Sequence, residues 1–397
     1  MGNMKKLRFA PSPSGTLHVG SARTALFNYL LAKASGSKLV LRMEDTDLKR
    51  SKKKFEEDIL DGLDWLGIEF DEFYRQSERG EVYQKYIDVL LRQDLAYKED
   101  GAVKFRVKKE IITFQDLVRG EIIFDQKLQE DFVIMKSDGS PSYQLAVVVD
   151  DYEMGITHVI RGEDHISNTP KQIQIYQALG IEPPSYAHIS IILGTDKSKL
   201  SKRNGAKSIG DFQMEGYLPK AVFNFLALLG WSHPDDTEIL TKQELFDSYH
   251  IDRVSKSNSV FDPEKLAWYN SKYMQKLSHK ELAMFIPNGD TKVAKMIQPK
   301  LRNLCDIPTW TKFLEEPVHI GVSPRWWKDL LLRVEVDTLS TFKELIGNFL
   351  STFEVDKGTV YSEIRYGMTG ERSGLPLFEV HDYLGRKEVV RRMKRWK

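Results

Sequence analysis

The segment that decides the fold is residues 7–21, which reads LRFAPSPSGTLHVGS. Its first four residues read as a short strand, the middle is rich in proline, serine and glycine, and its end leads into a helix. Apolar residues recur at helical spacing over 21–34, and 37–43 reads as a second strand. Strand, glycine-containing loop, helix and strand form a βαβ unit, which predicts a parallel sheet with a right-handed crossover.

The rest of the chain extends this unit. Helical patterns cover 53–66 and 81–95, strand-like alternation runs from 102 to 135, and strands at 156–160 and 188–193 flank a helix over 169–179. Helical periodicity prevails after Gly210, most strongly over 219–229. The predicted fold class is α/β: a Rossmann-type doubly wound parallel sheet, interrupted by an insertion and followed by largely α-helical C-terminal domains. The predicted boundaries are 1–95 and 141–212 for the two halves of the sheet domain, 96–140 for the insertion, and 213–287 and 288–397 for two helical domains.

Composition limits the class of protein. The 58 Lys and Arg residues nearly balance the 57 Asp and Glu residues, so a polyanion-binding surface would need a local concentration of basic residues. The single cysteine, Cys305, permits no internal disulfide and no thiolate zinc site. No apolar run approaches the roughly 18 residues of a membrane helix, and residues 1–6 leave no space for a signal or transit peptide. We therefore expect a cytoplasmic protein with no membrane partner.

The loop between the first strand and the first helix is a candidate anion site. A doubly wound sheet presents a helix N-terminus to its ligand at this position. Gly15 and Gly20 allow close approach to the backbone, and His18 can donate a hydrogen bond to a phosphate oxygen. Taken alone, the same pattern also fits a proline-rich turn in which His18 is a core or capping residue.

Two motifs, one in this loop and one near residue 200, resemble signatures of a known protein family. His18–Ser21 (HVGS) resembles the first signature of class I aminoacyl-tRNA synthetases, His-Ile-Gly-His, with the final serine found in the glutamate branch. Lys199–Arg203 (KLSKR) resembles the second signature, Lys-Met-Ser-Lys-Ser. Mobile lysines beside departing pyrophosphate offset charge that develops in the transition state. The resemblance implies catalytic roles for His18, Lys199 and Lys202. The implied ATP-binding residues are Pro11, Ser12, Gly15, His18, Gly20, Ser21, Lys199, Leu200, Ser201, Lys202 and Arg203.

Further stretches resemble the glutamyl-tRNA synthetase family. In that family the residue at Arg8 contacts the side-chain carboxylate of glutamate, and the acid at Glu44 takes the α-ammonium group; Tyr143 and Arg161 match other pocket positions. A bidentate guanidinium suits a carboxylate better than a lysine does. The glutaminyl relatives usually carry Pro-Glu-Pro-Asn where this chain has PSPS, which favours glutamate. The implied glutamate-binding residues are Arg8, Ala10, Ser12, Glu44, Tyr143 and Arg161.

The tRNA side departs from the family pattern. Many bacterial members carry a longer insertion after the position of Tyr97, and in this chain it is shortened. The resemblance makes 96–140 an acceptor-end-binding insertion, 213–287 a stem-contact domain and 288–397 an anticodon-binding domain. The segment 385–397 holds seven Lys or Arg residues and one acid, which favours phosphate contact. The predicted tRNA-binding residues are Arg391, Arg392, Lys394 and Arg395.

The resemblance as a whole implies a glutamate–tRNA ligase that uses ATP and Mg²⁺, without zinc. The implied partners are L-glutamate, ATP and tRNA, and the choice between tRNA-Glu, tRNA-Gln and both stays open at this stage. A monomer is the family default. Two alternatives remain: a relative that glutamylates a tRNA base, and a non-catalytic synthetase-like tRNA-binding protein.

Overall fold

The computed structural model describes residues 5–47, 49–200, 207–337 and 339–396. The chain forms two compact units, Met1–Tyr269 and Asn270–Lys397. Within the described ranges the second unit contains helices and no strand. Among those residues, no helix combines the length and apolar character needed to cross a membrane.

The strands lie in three sheets. They are β1 (Lys6–Phe9), β2 (Lys38–Met43), β3 (Glu72–Arg75), β4 (Ala96–Glu99), β5 (Ala102–Phe105), β6 (Ile111–Asp116), β7 (Gly120–Asp125), β8 (Phe132–Met135), β9 (His158–Gly162), β10 (Ser185–Ile189), β11 (Ile192–Leu193) and β12 (Ser259–Val260).

The helices of the two units follow in chain order. They are α1 (Val19–Ala34), α2 (Lys53–Leu66), α3 (Gly80–Arg92), α4 (Tyr143–Glu153), α5 (Thr169–Ala178), α6 (Ile209–Met214), α7 (Pro219–Ala227), α8 (Lys242–Ser248), α9 (Pro263–Lys276), α10 (His279–Ala283), α11 (Thr291–Ile297), α12 (Ile307–Thr311), α13 (Trp327–Val336), α14 (Phe342–Thr352), α15 (Lys357–Thr369), α16 (Leu377–Leu384) and α17 (Arg386–Met393).

The main sheet has the order β3-β2-β1-β9-β10-β6-β7, and each pair is parallel except β6 with β7. The chain builds outward from β1 to β2 and β3, then returns to the other side of β1 with β9 and β10. Strand order therefore reverses between β1 and β9, and an open α/β sheet binds its ligands at the carboxyl ends of the strands at such a point. The predicted doubly wound fold with a helical C-terminal part is confirmed.

Helix α1 is covered on most sides. It contacts β1, β2 and β9 of the sheet and the helices α7 and α8, and eleven of its sixteen residues are buried. A helix enclosed in this way needs apolar residues around most of its circumference, not one narrow stripe. The helix is held rigidly, which fixes the direction of its N-terminus toward the strand ends.

The segment predicted as an insertion divides between two sheets. Strands β4, β5 and β8 form a small antiparallel sheet, whereas the β6–β7 hairpin joins the edge of the main sheet beside β10. Ile112 and Phe114 of β6 pack with Val159 and Tyr186 in a buried apolar cluster. The hairpin is therefore part of the framework that carries the strand ends.

Two local features differ from the sequence prediction. The segment 188–193 forms two strands, because the carbonyl of Ser190 accepts a hydrogen bond from Arg23 and the amide of Ile191 donates to Glu163, which redirects the backbone between β10 and β11. Helix α4 was not predicted. Its three consecutive valines are typical of strands, and burial between the sheet and its neighbours overrides that preference.

The second unit is built from short helices. Thr341 caps α14 in a reciprocal capping box with Glu344, and Asp356 caps α15. Trp327 is buried, and its indole N–H donates to the carbonyl of Met393 near the end of the chain. These caps and contacts give helices of modest length the tertiary support that they require.

Candidate active site

A cavity of about 670 Å³ lies at the carboxyl ends of β1, β2 and β9, beside the N-terminus of α1. It is therefore at the point where strand order reverses. The residues predicted for glutamate and ATP that line it are Arg8, Ala10, Pro11, Ser12, His18, Gly20, Ser21, Glu44, Tyr143, Arg161, Lys199 and Leu200. The fold thus brings together residues from both signatures and from four distant segments.

His18 both caps α1 and lines the cavity. Its Nδ1 accepts the backbone N–H groups of Gly20 and Ser21 at 3.1 and 3.3 Å. Because Nδ1 accepts, the ring proton of the neutral form lies on Nε2, which is 3.0 Å from the Ser21 hydroxyl. The exposed Nε2–H group can turn from that hydroxyl to a phosphate oxygen, so the capping and ligand-binding interpretations of His18 hold together.

The two glycines of this loop have different roles. A Cβ on Gly20 would lie 3.2 Å from the imidazole of His18, closer than ordinary van der Waals contact. A Cβ on Gly15 would meet no described atom within 4 Å, and Gly15 does not line the cavity. A side chain at Gly20 would therefore press against the His18 ring, whereas no described atom restricts the space at Gly15.

The lysine loop begins with a short turn after β11. The amide of Gly194 donates to Ser198, and that of Leu200 donates to Ile192, so residues 192–200 double back along the chain. This turn brings Lys199 to the rim of the cavity, where its side chain is exposed. Ser201, Lys202 and Arg203 lie outside the described residues, and their predicted roles rest on the motif.

Two buried guanidinium groups form one wall of the cavity. Arg8 at the end of β1 donates through Nε to both oxygens of Asp151, at 3.2 and 3.4 Å. Arg161 of β9 donates through Nε to His188 and through Nη2 to the hydroxyl of Thr169, at 3.1 and 2.8 Å. The Nη1 atom of Arg161 is buried and has no hydrogen-bond partner among the described residues. An orphaned cationic donor in a cavity fits an anionic ligand.

Glu44 supplies the negative charge of the site. It follows β2 and accepts a hydrogen bond from Arg42 at 3.2 Å. Burial raises the pKa of Glu44, and the guanidinium groups of Arg42 and Arg8 oppose that rise. A partly buried carboxylate that lines a cavity can pair with an ammonium group, and Coulomb attraction favours that pair more strongly there than in bulk water.

Tyr143 begins α4 and faces His165. Its hydroxyl is 3.0 Å from His165 Nδ1, and the two rings are tilted with centroids 5.8 Å apart. Burial, with the nearby Arg161 charge, lowers the pKa of His165 to about 4, so the imidazole is neutral at pH 7. Burial raises the pKa of Tyr143, which keeps its hydroxyl protonated. This pair presents neutral hydrogen-bonding groups beside the two arginines.

Several residues that shape the site were not predicted. They are Arg42, Asp116, Asp151, His165 and His188, all of which contact a predicted residue directly or through one other. The signal that could have shown Asp151 is the buried apolar run of α4, which ends in Asp150 and Asp151. An ionisable residue in a buried apolar helix needs a partner, and here the partners are arginines.

The basic C-terminal helix is largely paired within its own unit. Arg392 is buried, donates to the carbonyls of Phe313 and Met368, and also binds Glu388. A guanidinium committed in this way stabilises the end of the chain, and Arg392 is the least exposed of the four residues predicted to contact tRNA. The other three predicted residues are partly exposed and form ion pairs: Arg391 and Arg395 with Glu316, and Lys394 with Glu335.

Within the described ranges, no group of three or more His, Cys, Asp or Glu side chains could hold a metal ion. The residues that line the cavity therefore do not form a protein cage for Mg²⁺. That ion usually keeps several waters and binds through substrate phosphates with one or two carboxylates.

Two family models match the chain. The catalytic-domain model of class I tRNA synthetases (E and Q) matches residues 5–103 and 98–268, and an anticodon-binding-domain model matches residues 264–397. The two catalytic segments meet at the β4–β5 hairpin, where the sequence predicts a shortened insertion.

Full-length relatives agree with these models. The chain is 41% identical to glutamate–tRNA ligase 1 of Rubrobacter xylanophilus, over 98% of this chain and 97% of the relative. It is 36% identical to glutamate–tRNA ligase 1 of Fervidobacterium nodosum, over 98% of each chain. The second match spans 469 aligned positions, more than the 397 residues of this chain, so that relative contains segments that this chain lacks.

A solved structure is similar along the whole chain. The structure of a glutamate tRNA ligase from Elizabethkingia meningosepticum in complex with its amino acid superposes with a TM-score of 0.88. The alignment covers 99% of both chains at 26% identity.

Proposed function

This chain belongs to the glutamate–tRNA ligases, the glutamate branch of the class I aminoacyl-tRNA synthetases, and we propose that it joins L-glutamate to tRNA in two steps, the first of which consumes ATP. The observation that carries the proposal is the charge pattern of the cavity. Two buried guanidinium groups, Arg8 and Arg161, line the same cavity as one partly buried carboxylate, Glu44. Glutamate, with two carboxylates and one ammonium group, is complementary to that pattern.

The side-chain carboxylate of glutamate binds Arg8, and Glu44 takes the α-ammonium group. The orphaned Nη1 of Arg161 and the hydroxyl of Tyr143 supply further donors. Ala10 and Ser12 line the same cavity beside Arg8. Glutamine would leave the guanidinium groups facing a neutral amide, which removes the charge-assisted hydrogen bonds and disfavours it.

ATP places its phosphates at the N-terminus of α1. The amides of Gly20 and Ser21 donate to His18 Nδ1, so the donor that we assign to the phosphates there is the Nε2–H group of His18, and Lys199 of the lysine loop lines the same cavity. Lys199 and Lys202 offset the charge of departing pyrophosphate. Mg²⁺ carried by the nucleotide would supply further charge neutralisation.

The reaction proceeds by displacement. A glutamate α-carboxylate oxygen attacks the α-phosphorus of ATP, the bond to the β-phosphate oxygen breaks, and pyrophosphate leaves, which gives glutamyl-adenylate. The 2′-hydroxyl of the terminal adenosine of tRNA then attacks the acyl carbon, its proton passes to water, and AMP leaves. Positioning and charge stabilisation carry both steps without a general base on the protein.

The experiment is charging and pyrophosphate exchange with purified protein. We expect labelled glutamate, and not glutamine, to become attached to tRNA when ATP is present. Lys202→Ala should lower glutamate-dependent exchange, measured with tRNA present, by about 10²–10³-fold. Lys197→Asn is the matched control, because it removes a charge from the same loop and asparagine tolerates the φ of 60° at Lys197.

The two outcomes that reject the proposal are distinct. Near-normal exchange by the Lys202→Ala variant would remove Lys202 from the mechanism. Wild-type protein without any glutamate-dependent exchange or charging would reject the ligase activity and favour a tRNA-binding protein without catalysis. The alternative of base glutamylation is disfavoured by the match of residues 264–397 to an anticodon-binding domain.

The proposed domain roles follow the family. Residues 1–95 and 141–212 form the catalytic domain, 96–140 hold the acceptor end, 213–287 contact the stem and 288–397 read the anticodon. Arg391, Lys394 and Arg395 bind tRNA phosphates by exchanging their internal acidic partners for phosphate. We propose a cytoplasmic monomer that charges tRNA-Glu. Parallel charging assays with tRNA-Glu and tRNA-Gln test the choice of tRNA, and sedimentation tests the monomer.

A further inference from the structure

The β6–β7 hairpin reaches the glutamate pocket through a chain of three buried side chains. Asp116 at the end of β6 lies 2.6 Å through Oδ2 from Nδ1 of His188 on β10. His188 accepts at Nε2 from Nε of Arg161 on β9, at 3.1 Å. All three residues are at most 5% exposed. This series of hydrogen-bonded side chains begins at Asp116 in the predicted acceptor-end insertion and ends at Arg161 in the wall of the glutamate cavity.

The two ends of this chain fix one tautomer of His188. A carboxylate only accepts, so Nδ1 of His188 must carry the proton, and a guanidinium only donates, so Nε2 must be unprotonated. Burial lowers the pKa of His188, and the Arg161 charge adds to that effect. Although burial alone would raise it, hydrogen bonds from His188 and from the amides of Arg119 and Val118 hold the pKa of Asp116 below its usual range. The three linked groups are therefore the Asp116 carboxylate, the neutral His188 imidazole and the Arg161 guanidinium.

The neighbours of Arg161 leave its Nη1 group without a partner among the described residues. Nε and Nη2 are occupied by His188 and Thr169, and the guanidinium lies over the ring of Tyr186 with its central carbon 5.3 Å from the centroid. The imidazole of His188 stacks on the same Tyr186 ring, at 6.0 Å and 15°. His188, Thr169 and Tyr186 thus hold the guanidinium plane of Arg161 in place, and its Nη1 atom is the one left for a ligand.

The turn of the hairpin is itself anchored to the strand end. Asp116 accepts the amides of Val118 and Arg119 at 2.9 and 2.8 Å. Arg119 also forms an ion pair with Glu163 and donates through Nε to the carbonyl of His188, at 3.3 Å. The position of the Asp116 carboxylate is therefore set by the hairpin and by the end of β10 together.

We propose that Asp116 and His188 are positioning residues for glutamate, which orient Arg161 so that its Nη1 faces a substrate carboxylate. The inference rests on the proposed role of Arg161 in binding glutamate. It assigns to the hairpin inside the predicted insertion a part in amino-acid recognition, separate from any contact with tRNA.

The decisive variant is Asp116→Asn. The asparagine amide can donate to Nδ1, which moves the ring proton to Nε2 and turns an N–H group toward the N–H of Arg161. Since two donors repel, Arg161 rotates away from the substrate. We expect the KM for glutamate in pyrophosphate exchange to rise by about tenfold to a hundredfold, the loss expected for a charged hydrogen bond. The KM for ATP should change little, whereas the melting temperature should fall somewhat, because the Asp116 carboxylate also accepts the amides of Val118, Arg119 and His188.

Two comparisons separate positioning from packing. Asp125→Asn is the matched control, because Asp125 caps the amide of Lys127 at the far end of the same hairpin and does not contact His188. His188→Gln should retain a lower glutamate KM than His188→Asn, since the longer amide can place an oxygen near the Nε2 position. Long-range ¹H–¹⁵N spectra of the imidazole report the tautomer directly, with the proton on Nδ1 in the wild type and on Nε2 in the Asp116→Asn variant.

The outcomes are distinguishable from a failure of the proposed function. A wild-type protein with no glutamate-dependent exchange would reject the proposed function itself. An active wild type whose Asp116→Asn variant keeps its glutamate KM, with or without the tautomer change, would overturn the positioning chain alone. Equal rises in the KM for glutamate and for ATP, or the same rise in the Asp125→Asn control, would also overturn it.

Discussion

Arg42 and Asp151 are 109 residues apart in the sequence and form an ion pair of 2.7 Å between Nη1 and Oδ1. Both side chains are buried, and Asp151 also accepts from Arg8. Burial raises the pKa of Asp151, but the positive charges of Arg8 and Arg42 outweigh it and hold the pKa below its usual range. The pair joins β2 to α4 behind the cavity and ties Arg8 to the framework.

The first prediction is that Asp151→Ala destabilises the protein. The change leaves two buried guanidinium groups without their shared acceptor, and breaking a buried pair costs about 3–5 kcal/mol. Urea unfolding measures the loss of free energy of unfolding. Glu57→Gln is the control, because Glu57 pairs with Lys53 at an exposed i,i+4 position and its loss should cost about 0.5 kcal/mol or less. Equal losses in the two variants would contradict the structural role of the buried pair.

The second prediction concerns Glu44 and pH. Because burial raises the pKa of Glu44, its carboxylate is protonated at a higher pH than an exposed glutamate. Only the ionised form attracts the substrate ammonium, so glutamate affinity should fall as pH is lowered through this raised pKa. Glu44→Gln should weaken glutamate binding and remove this acid limb. The affinity for glutamate, measured by calorimetry between pH 4 and pH 8, should lose its acid limb only in the variant, and a limb that persists would assign the titration to another group.

The third prediction separates the two roles of His18. Asparagine is a good N-cap and can accept the amides of Gly20 and Ser21, but it lacks the Nε2–H donor. His18→Asn should keep the melting temperature and lower the exchange rate by about 10²–10³-fold. His18→Ala should lose the same activity and in addition about 1 kcal/mol of stability. An active His18→Asn variant would show that capping is the whole function of His18.

The fourth prediction concerns the C-terminal helix. Arg392→Ala removes a buried guanidinium that binds two carbonyls and Glu388, so we expect a loss of about 2–4 kcal/mol of stability. Arg395→Ala removes one exposed pair and should change stability by less than about 1 kcal/mol.

The same two variants test the tRNA contact. Arg395→Ala should raise the KM for tRNA and lower the salt dependence of binding by about one phosphate contact. An unchanged salt dependence would exclude Arg395 from the tRNA-binding surface. If the Arg392→Ala variant also charges tRNA more slowly, its thermal unfolding, measured beside these assays, shows whether the slower charging follows from its lower stability.

The local sequence is sufficient to predict the βαβ unit and the loop before its helix. The βαβ unit was readable because periodicity over 21–34 and the loop before it involve neighbouring residues, and the observed α1 covers Val19–Ala34. Motif resemblance gave His18, Glu44, Arg8 and Arg161, and the fold places them around one cavity.

Contacts between strands that are distant in the sequence cannot be predicted from local periodicity or short motifs. Asp116 and His188 are 72 residues apart, and they meet because β6 inserts beside β10 at the edge of the parallel sheet. No periodicity in either segment specifies that pairing, since strand order depends on which apolar faces pack together over the whole unit. Arg392 shows the same limit, because a basic residue in a basic segment reads as exposed until its buried carbonyl partners are known.

The sequence by itself determined the fold class, the family and the chemical groups that meet the substrates, because these depend on local pattern and on short motifs. Only the tertiary structure decided which of those groups are free to bind and which are held. Arg161 keeps its Nη1 group for a ligand because its Nε and Nη2 atoms donate to His188 and Thr169, whereas Arg392 donates to the protein itself. The physical reason is that a buried charged side chain must be hydrogen-bonded or paired, so the partners that the fold places around it decide whether it can still bind a ligand.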